Sequence, residues 1–208
     1  MDLEELRTMT RRLSGVEMAA LRSDDEVDED INRSYRDLAT RQPWPWSYTS
    51  VVAVLTAGTD TVTRPSSIPS IDTIAVDEPN YRRLLGEITL ADMDRYPSHR
   101  AQQGEPWAWA RLTDDEVKIF PTPDANYTLT MRGQKYLVPL TSNTDVPVFD
   151  EFFHPILAYS AAAYVMEEES EDDTWVNRYR ARIAEYEDRM MRFYLPLLAG
   201  QGSQNESE

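Results

Sequence analysis

The spacing of apolar residues predicts helices at both ends of the chain. A first amphipathic helix is indicated by four apolar residues at helical spacing, Leu3, Leu6, Met9 and Leu13. Gly15 then ends or bends this helix. Ser23 followed by Glu26 has the form of a capping box, which places the start of a second helix there. That helix is expected to reach about Arg41, because Pro43 follows it.

In the middle of the chain the hydrophobic period changes to two, which indicates strands. Val52 and Val54 lead into a turn at residues 57–60, and residues 61–63 return as a short partner strand. The same alternation recurs further on, at Ile74 and Val76, Val117 and Ile119, and Leu129 and Met131. Alternation of apolar and polar residues is typical of an antiparallel sheet with one face in water.

Helical spacing returns near the carboxyl end. Pro155 fits the first turn of a third helix, and an acidic run at residues 167–173 predicts an exposed corner after it. The last helix has the longest apolar stripe of the chain, formed by Trp175, Tyr179, Ile183, Tyr186, Met190, Phe193 and Leu197. Pro196 is expected to end this helix.

Together these patterns predict an α+β protein with an interrupted helical region. Residues 1–43 and 150–198 are expected to form a small bundle of about four helices. Residues 44–149 are expected to form an antiparallel, β-sandwich-like insertion between the second and third helices. Residues 199–208 are polar and are expected to be a flexible tail.

Charge and composition exclude several classes of function. The chain has 37 acidic and 21 basic side chains, a formal net charge of -16, which repels phosphate and disfavours nucleic-acid binding. DNA can still pass near such a surface without adhering. The chain has no cysteine, which removes disulfides, zinc–thiolate sites and thiol nucleophiles. No run of about 18 apolar residues occurs, so no membrane span is expected.

Few residues are candidates for chemistry. His99 and His154 are the only histidines and are far apart in sequence, and neither a phosphate-binding loop nor a zinc-binding helix motif occurs. We therefore expect no catalytic residue, cofactor or metal, although Glu105 with Asp114 leaves a two-carboxylate hydrolase open. The aromatic cluster Trp44, Trp46 and Tyr48 allows two interpretations. It is either a docking surface for a protein or sugar or, as we favour, an anchor between helical and sheet layers.

Several features in order along the chain resemble the head-tail connector adaptor proteins of tailed bacteriophages. They are the leucine-spaced first helix, the acidic second helix with Ile31, Asn32 and Tyr35, the Trp-Pro-Trp passage at 44–46, Gly104-Glu105-Pro106, the segment from Ile119 through 121–124 to Tyr127, and Phe152-Phe153-His154 before Ala161–Ala163. This insertion is larger than in the all-helical members of that family.

The resemblance implies a structural role and specific partners. Copies would form a ring of twelve under the portal protein, join the capsid to the tail through stopper or terminator proteins, and let DNA pass during ejection. The protein would be a virion component at the head-tail interface, assembled in the host cytoplasm, with no enzyme activity. The alternative is a non-viral module in which the sheet binds a protein or glycan and the helices oligomerise.

Two sets of residues are candidates for these contacts. An acidic channel wall is expected from Asp24, Asp25, Glu26, Asp28, Glu29, Asp30, Glu167, Glu168, Glu169, Glu171, Asp172 and Asp173. Portal docking is expected from the apolar end of the last helix, Phe193, Tyr194, Leu195, Leu197 and Leu198. The opposing interpretation is that this apolar end folds back and covers the protein's own core.

Overall fold

The computed structural model describes residues 1–15, 22–77, 81–95, 103–169 and 173–202. The chain divides into a helical unit, residues 1–46 and 137–208, and a sheet unit, residues 47–136. Residues 137–149 therefore belong with the helices, whereas the sequence pattern placed them in the insertion. The reason is that Leu140 and Phe149 are buried in the core of the helical unit.

Five α-helices lie in the described residues. They are α1 Leu3–Ser14, α2 Asp24–Arg41, α3 Leu90–Asp94, α4 Pro155–Glu169 and α5 Asp173–Gly202. The predicted capping box of Ser23 and Glu26 starts α2, and α1 begins with a second capping box formed by Asp2 and Glu5. Pro155 is the first residue of α4, as predicted.

Helix α4 is the centre of the helical unit. It packs against α1, α2 and α5, and Ala161, Ala162 and Ala163 on it are buried. Small side chains let neighbouring helices approach closely, and a helix that is apolar on more than one face must be surrounded by others. A short 3₁₀ turn at Pro45–Ser47 lies where the chain leaves this unit, and another at Glu151–Phe153 precedes α4.

The expectation that Pro196 ends the last helix is wrong. Helix α5 continues through Pro196 to Gly202, so residues 199–202, expected in a flexible tail, are helical. A proline removes one backbone hydrogen bond and crowds the turn before it, which bends a helix without having to end it. Residues 203–208 of the expected tail lie outside the described residues.

The described part of the sheet unit forms ten strands. Their bounds are β1 Tyr48–Leu55, β2 Thr61–Thr63, β3 Ser70–Asp77, β4 Arg82–Leu84, β5 Gly86–Glu87, β6 Gln103–Gly104, β7 Ala108–Arg111, β8 Glu116–Phe120, β9 Thr122–Pro123 and β10 Tyr127–Gln134. One sheet has the order β1-β10-β3-β4, a second β2-β8-β7-β5, and β6 pairs with β9. The predicted antiparallel pairing is confirmed for the long strands. Among the described strands, two short pairs are parallel, β5 with β7 and β6 with β9.

The two four-stranded sheets contribute to one buried core. Ile74, Leu129 and Met131 come from the first sheet, and Trp109 and Ile119 from the second. On β1 the alternation leaves Val51 and Ala53 against this core, while Val52 and Val54 are exposed. Across the described residues, no helix combines the length and apolarity needed to cross a membrane.

Candidate docking surface and acidic segments

Tyr194, one of the predicted docking residues, lies in the core of the helical unit. Its ring packs edge-on against Trp44, with centroids 6.0 Å apart, and also contacts Phe153. The backbone N–H of Asp150 donates to the Tyr194 hydroxyl at 3.0 Å. Burial raises the pKa of this tyrosine. Tyr194 therefore packs in the core of its own chain.

Phe193, the residue before Tyr194, is exposed to solvent. Its side chain is 52% exposed, and Phe152 nearby is 60% exposed. Phe153 lies between them, 5.2 Å from Phe152 and 5.5 Å from Phe193 between ring centroids. An open groove of about 390 Å³, called here the aromatic groove, is lined by Asp150, Phe152, Phe153, Arg189, Arg192 and Phe193.

The charges beside the aromatic groove are paired along α5. Arg189 lies 3.1 Å from Glu185, and Arg192 lies 2.9 Å from Asp188. These i,i+4 pairs are exposed and contribute little to stability. Leu195, Leu197 and Leu198 follow within the last turns of α5, so the predicted docking segment is helical. Phe152 was not in the sequence-based candidate set, because nothing along the chain indicates that residue 152 comes close to residue 193.

The first acidic segment is tied to α1 by arginines. Arg7 forms a two-pronged pair with Asp28, at 2.7 Å and 2.5 Å, and Arg11 lies 2.7 Å from Asp24. Hydrogen bonds with Asp28 raise the pKa of Arg7. Such pairs fix α2 against α1, and bidentate geometry gives them direction. Arg7 and Arg11 are one helical turn apart, which is the signal that could have predicted this arrangement.

The remaining acids at the start of α2 have different surroundings. Glu26 caps the helix, and hydrogen bonds from the Ser23 backbone and hydroxyl lower its pKa. Asp25 and Glu29 are exposed. These two carboxylates are therefore open to solvent and to an approaching polyanion, as Asp24 and Glu26 are.

Arg22 brings the two acidic segments together. Its guanidinium lies 2.7 Å from the Asp30 carboxylate on α2 and also pairs with Glu168 near the end of α4. Asp30 is buried, and burial raises the pKa of its carboxyl, an effect that Arg22 opposes. Asp30 therefore serves the packing of α2 against α4 and does not face open solvent.

The second acidic segment is only partly described. Glu167 pairs with Arg180 of α5, so this acid also links two helices. Glu169 is the last residue of α4, and Asp173 is the first of α5. Glu171 and Asp172 lie outside the described residues.

Two of the residues considered for chemistry, His154 and Glu105, make contacts within the structure. Both ring nitrogens of the buried His154 are occupied: Nδ1 lies 2.9 Å from the Met1 amino nitrogen and 2.9 Å from its carbonyl oxygen, and Nε2 lies 2.9 Å from the Phe149 carbonyl. Burial lowers the pKa of His154. Glu105 is exposed and paired with Arg83. His99 lies outside the described residues.

Two residues of the tryptophan cluster, Trp44 and Trp46, belong to the core of the helical unit. Trp44 is buried, stacks on Trp46 with 6.2 Å between centroids, and donates from its indole to the Leu38 carbonyl at 2.7 Å. Trp46 packs against Phe149. A buried Trp44 cannot stack on a sugar, while the predicted anchoring of one layer to the other stays a prediction.

The described residues hold no metal-binding cluster, and two arginines in a groove of the sheet unit are already hydrogen-bonded. Where the chain is described, no three His, Asp or Glu side chains come together as metal ligands. A groove of about 550 Å³ in the sheet unit includes Arg64 and Arg111 in its lining. Their guanidiniums already donate to the carbonyl oxygens of Asp114, Ile68 and Ile71.

The model of the SU10 adaptor protein family matches residues 1–200, nearly the whole chain and both units. The chain therefore belongs to the SU10 adaptor protein family, a family of bacteriophage head-tail adaptors, which confirms the resemblance found in the sequence. No curated protein matches it.

Proposed function

We propose that this phage adaptor is a structural subunit of the head-to-tail connector. Copies form a ring, twelve if the sequence resemblance holds, that sits under the portal, joins the capsid to tail or stopper proteins, and lets DNA pass during ejection. The role needs neither catalysis nor a cofactor. The observation that carries the proposal is the family match over residues 1–200.

The portal-binding surface in this proposal is the aromatic groove and the end of α5. Phe152 and Phe193 present exposed aromatic rings beside the guanidiniums of Arg189 and Arg192. Aromatic side chains and arginines are the residues that most often dominate protein interfaces. Burying the exposed half of each phenylalanine would contribute about half of the 1.5–3 kcal/mol that full burial gives. Leu195, Leu197 and Leu198 extend the same helix beyond the groove and are proposed to insert between portal subunits.

The channel wall in this proposal rests on the exposed acids at the start of α2. Asp25 and Glu29 are open to solvent, and Asp24, Glu26 and Asp28 lie beside them. Glu167 and Glu168, with residues 169 and 171–173, are the second candidate segment. Like charges repel DNA phosphates over a Debye length of about 8–10 Å, so a wall of this kind prevents the genome from adhering.

Copurification with the portal tests the function and its docking surface. Phe193→Ser should weaken portal binding at least about tenfold, which corresponds to about 1.4 kcal/mol, without lowering the melting temperature, because the ring is half exposed. Trp175→Ser is the matched control, since Trp175 is an exposed aromatic at the other end of α5. Unchanged binding by both variants would place docking elsewhere. Failure of the unmodified chain to bind the portal would overturn the function.

Charge reversal tests the channel wall. Asp25→Lys with Glu29→Lys should make DNA release from particles slower and salt-dependent, because lysines at the wall would bind phosphates. The control carries the same two reversals on the sheet unit, Asp114→Lys with Glu116→Lys. Release that is unchanged in the first variant would remove α2 from the channel wall.

A further inference from the structure

Strand β1 is a long edge strand that contains neither a charged residue nor proline. It runs for eight residues at the end of its sheet, Tyr48–Leu55, and none of them is charged or proline. No described strand pairs with its outer side. The opposite edge, β4, and the edges of the second sheet, β2 and β5, have only two or three residues. Long uncharged edges are templates for another strand, and proteins normally block them.

The hydrogen-bond pattern shows which backbone groups of β1 face outward. Lys135 N–H donates to the Ser47 carbonyl at 2.8 Å, in register with the pairing of Tyr48 and Gln134. Because hydrogen-bonded positions alternate in an antiparallel pair, Thr49, Val51 and Ala53 bond to β10. The amide and carbonyl groups of the intervening residues, Ser50, Val52 and Val54, therefore face the free edge.

The opposite edge of the same sheet has the same arrangement. Leu85 N–H donates to the Ile74 carbonyl at 2.8 Å, in register with the pairing of Leu84 and Ala75. By the same alternation, the backbone groups of Arg82 and Leu84 face away from β3. Both edges thus offer a donor and an acceptor at alternate residues.

The exposed apolar side chains of this sheet lie at its two edges. Val52 and Val54 on β1 are 64% and 69% exposed, and Leu84 on β4 is 49% exposed. The register places Val52, Thr130, Ala75 and Leu84 in one row across the sheet, so these side chains share one face. If the sheets of two copies lay edge to edge, Leu84 of one copy would contact Val52 of the other, and both side chains would be buried.

Strand direction and charge point to another copy of the chain as the occupant. Successive pairs are antiparallel, so β4 runs opposite to β1, and repeating the sheet sideways continues the antiparallel pattern. The sheet unit has nine basic and twelve acidic residues, against twelve and twenty-five in the helical unit. Repulsion between copies is therefore lowest where two sheet units meet.

We infer that neighbouring copies join by strand pairing, β4 of one copy running antiparallel to β1 of the next, with Leu84 opposite Val52. The contact is heterologous, so it generates a ring when the rotation closes. This inference rests on the proposed ring function and names its subunit contact. Pairing over three residues is weak by itself, so the contact forms on the portal and not in dilute solution.

Cysteine cross-linking tests the contact without background, because the chain has no cysteine. Val52→Cys and Leu84→Cys in one chain should give disulfide-linked multimers up to the full ring when the connector is assembled on the portal. The two positions are three strand spacings apart within one copy, about 14 Å, which is too far for an internal disulfide. Each single variant should give no link, and an equal mixture of the two should give only dimers.

The outcomes separate this contact from other occupants and from the function itself. Dimers from Val52→Cys alone would mean that two β1 strands pair, and a ring that forms without any link would mean that another surface joins the copies; either result overturns the inference and leaves the adaptor function standing. Absence of any ring on the portal, seen by electron microscopy of the unmodified protein, overturns both. As a second test, Val52→Lys should abolish ring closure while Val52→Thr, which keeps a β-branched side chain, should preserve it.

Discussion

The helical unit and the sheet unit differ in where their charged residues lie. In the helical unit, arginines hold carboxylates between helices: Arg7 on Asp28, Arg11 on Asp24, and Arg22 on both Asp30 and Glu168. In the sheet unit the long edge strand β1 has no charge at all. The comparison suggests a division of work, in which the helical unit carries the acidic surface and the portal contact while the sheet unit supplies contacts between copies.

The largest effect on stability should come from adding a side chain at Gly133, where the backbone of a neighbouring segment lies very close. A Cβ on Gly133 would lie 1.9 Å from the Ser70 carbonyl oxygen and 2.6 Å from Ile68 Cγ2. Gly133→Ala should therefore lower the free energy of unfolding by about 3 kcal/mol. Gly86→Ala is the control, since its nearest atom would be the Trp107 carbonyl oxygen at 3.8 Å. Urea unfolding of both variants measures the two free energies of unfolding. Equal values would show that the backbone at residue 133 can move away from Ser70 at no cost.

A smaller effect should come from breaking the ion pair at the centre of the helical unit. Arg22→Met leaves the buried Asp30 carboxylate without its guanidinium, so stability should fall by about 2 kcal/mol. Arg182→Met removes an exposed pair with Glu185 and should change little. Chemical denaturation at pH 7 compares the two, and a similar loss in both would show that burial of Asp30 is unimportant.

The pH dependence of the Arg22→Met variant sharpens this test. Burial already raises the pKa of Asp30, and loss of Arg22 raises it further. A carboxyl whose folded pKa is raised destabilises the protein above that pKa, and protonation relieves the loss. The stability deficit of the variant should therefore shrink as pH falls from 7 towards 4. A deficit that stays constant with pH would show that lost packing, and not the unpaired charge, causes it.

The smallest effect on stability should come from protonation of His154 in mild acid. Burial lowers its pKa, an effect that the Met1 amino group adds to and Glu151 opposes. The unfolded chain therefore binds this proton first, so stability should fall as pH drops below about 6.5. His154→Gln should reduce the slope of stability against pH between 7.5 and 5.5. Identical slopes in the variant and the unmodified protein would assign the acid sensitivity to other groups.

The sequence predicted those features that depend on neighbours along the chain. The cap at Ser23, the start of α4 at Pro155 and the alternation in β1 and β10 follow from local geometry. Contacts between distant residues could not be read this way: Phe152 beside Phe193, Arg22 between α2 and α4, and the burial of Tyr194 all arise when helices pack. The rule that proline ends a helix fails at Pro196, because the helix continues on both sides of it.

The free edges of the first sheet also could not be predicted from the sequence. Val52 and Val54 were correctly predicted as strand residues, but the alternation alone does not tell which face of a strand is exposed or which strand lies at an edge. Strand order depends on pairing between β1 and β10, which are more than seventy positions apart.

The most direct test of the account is electron microscopy of the adaptor assembled on its portal. We predict a closed ring in which the sheets of neighbouring copies are continuous through β1 and β4, while the aromatic groove and the end of α5 contact the portal. A ring held together only by helices would contradict the division between the two units. An adaptor that remains monomeric or forms a closed dimer in the presence of the portal would contradict the proposed function as a whole.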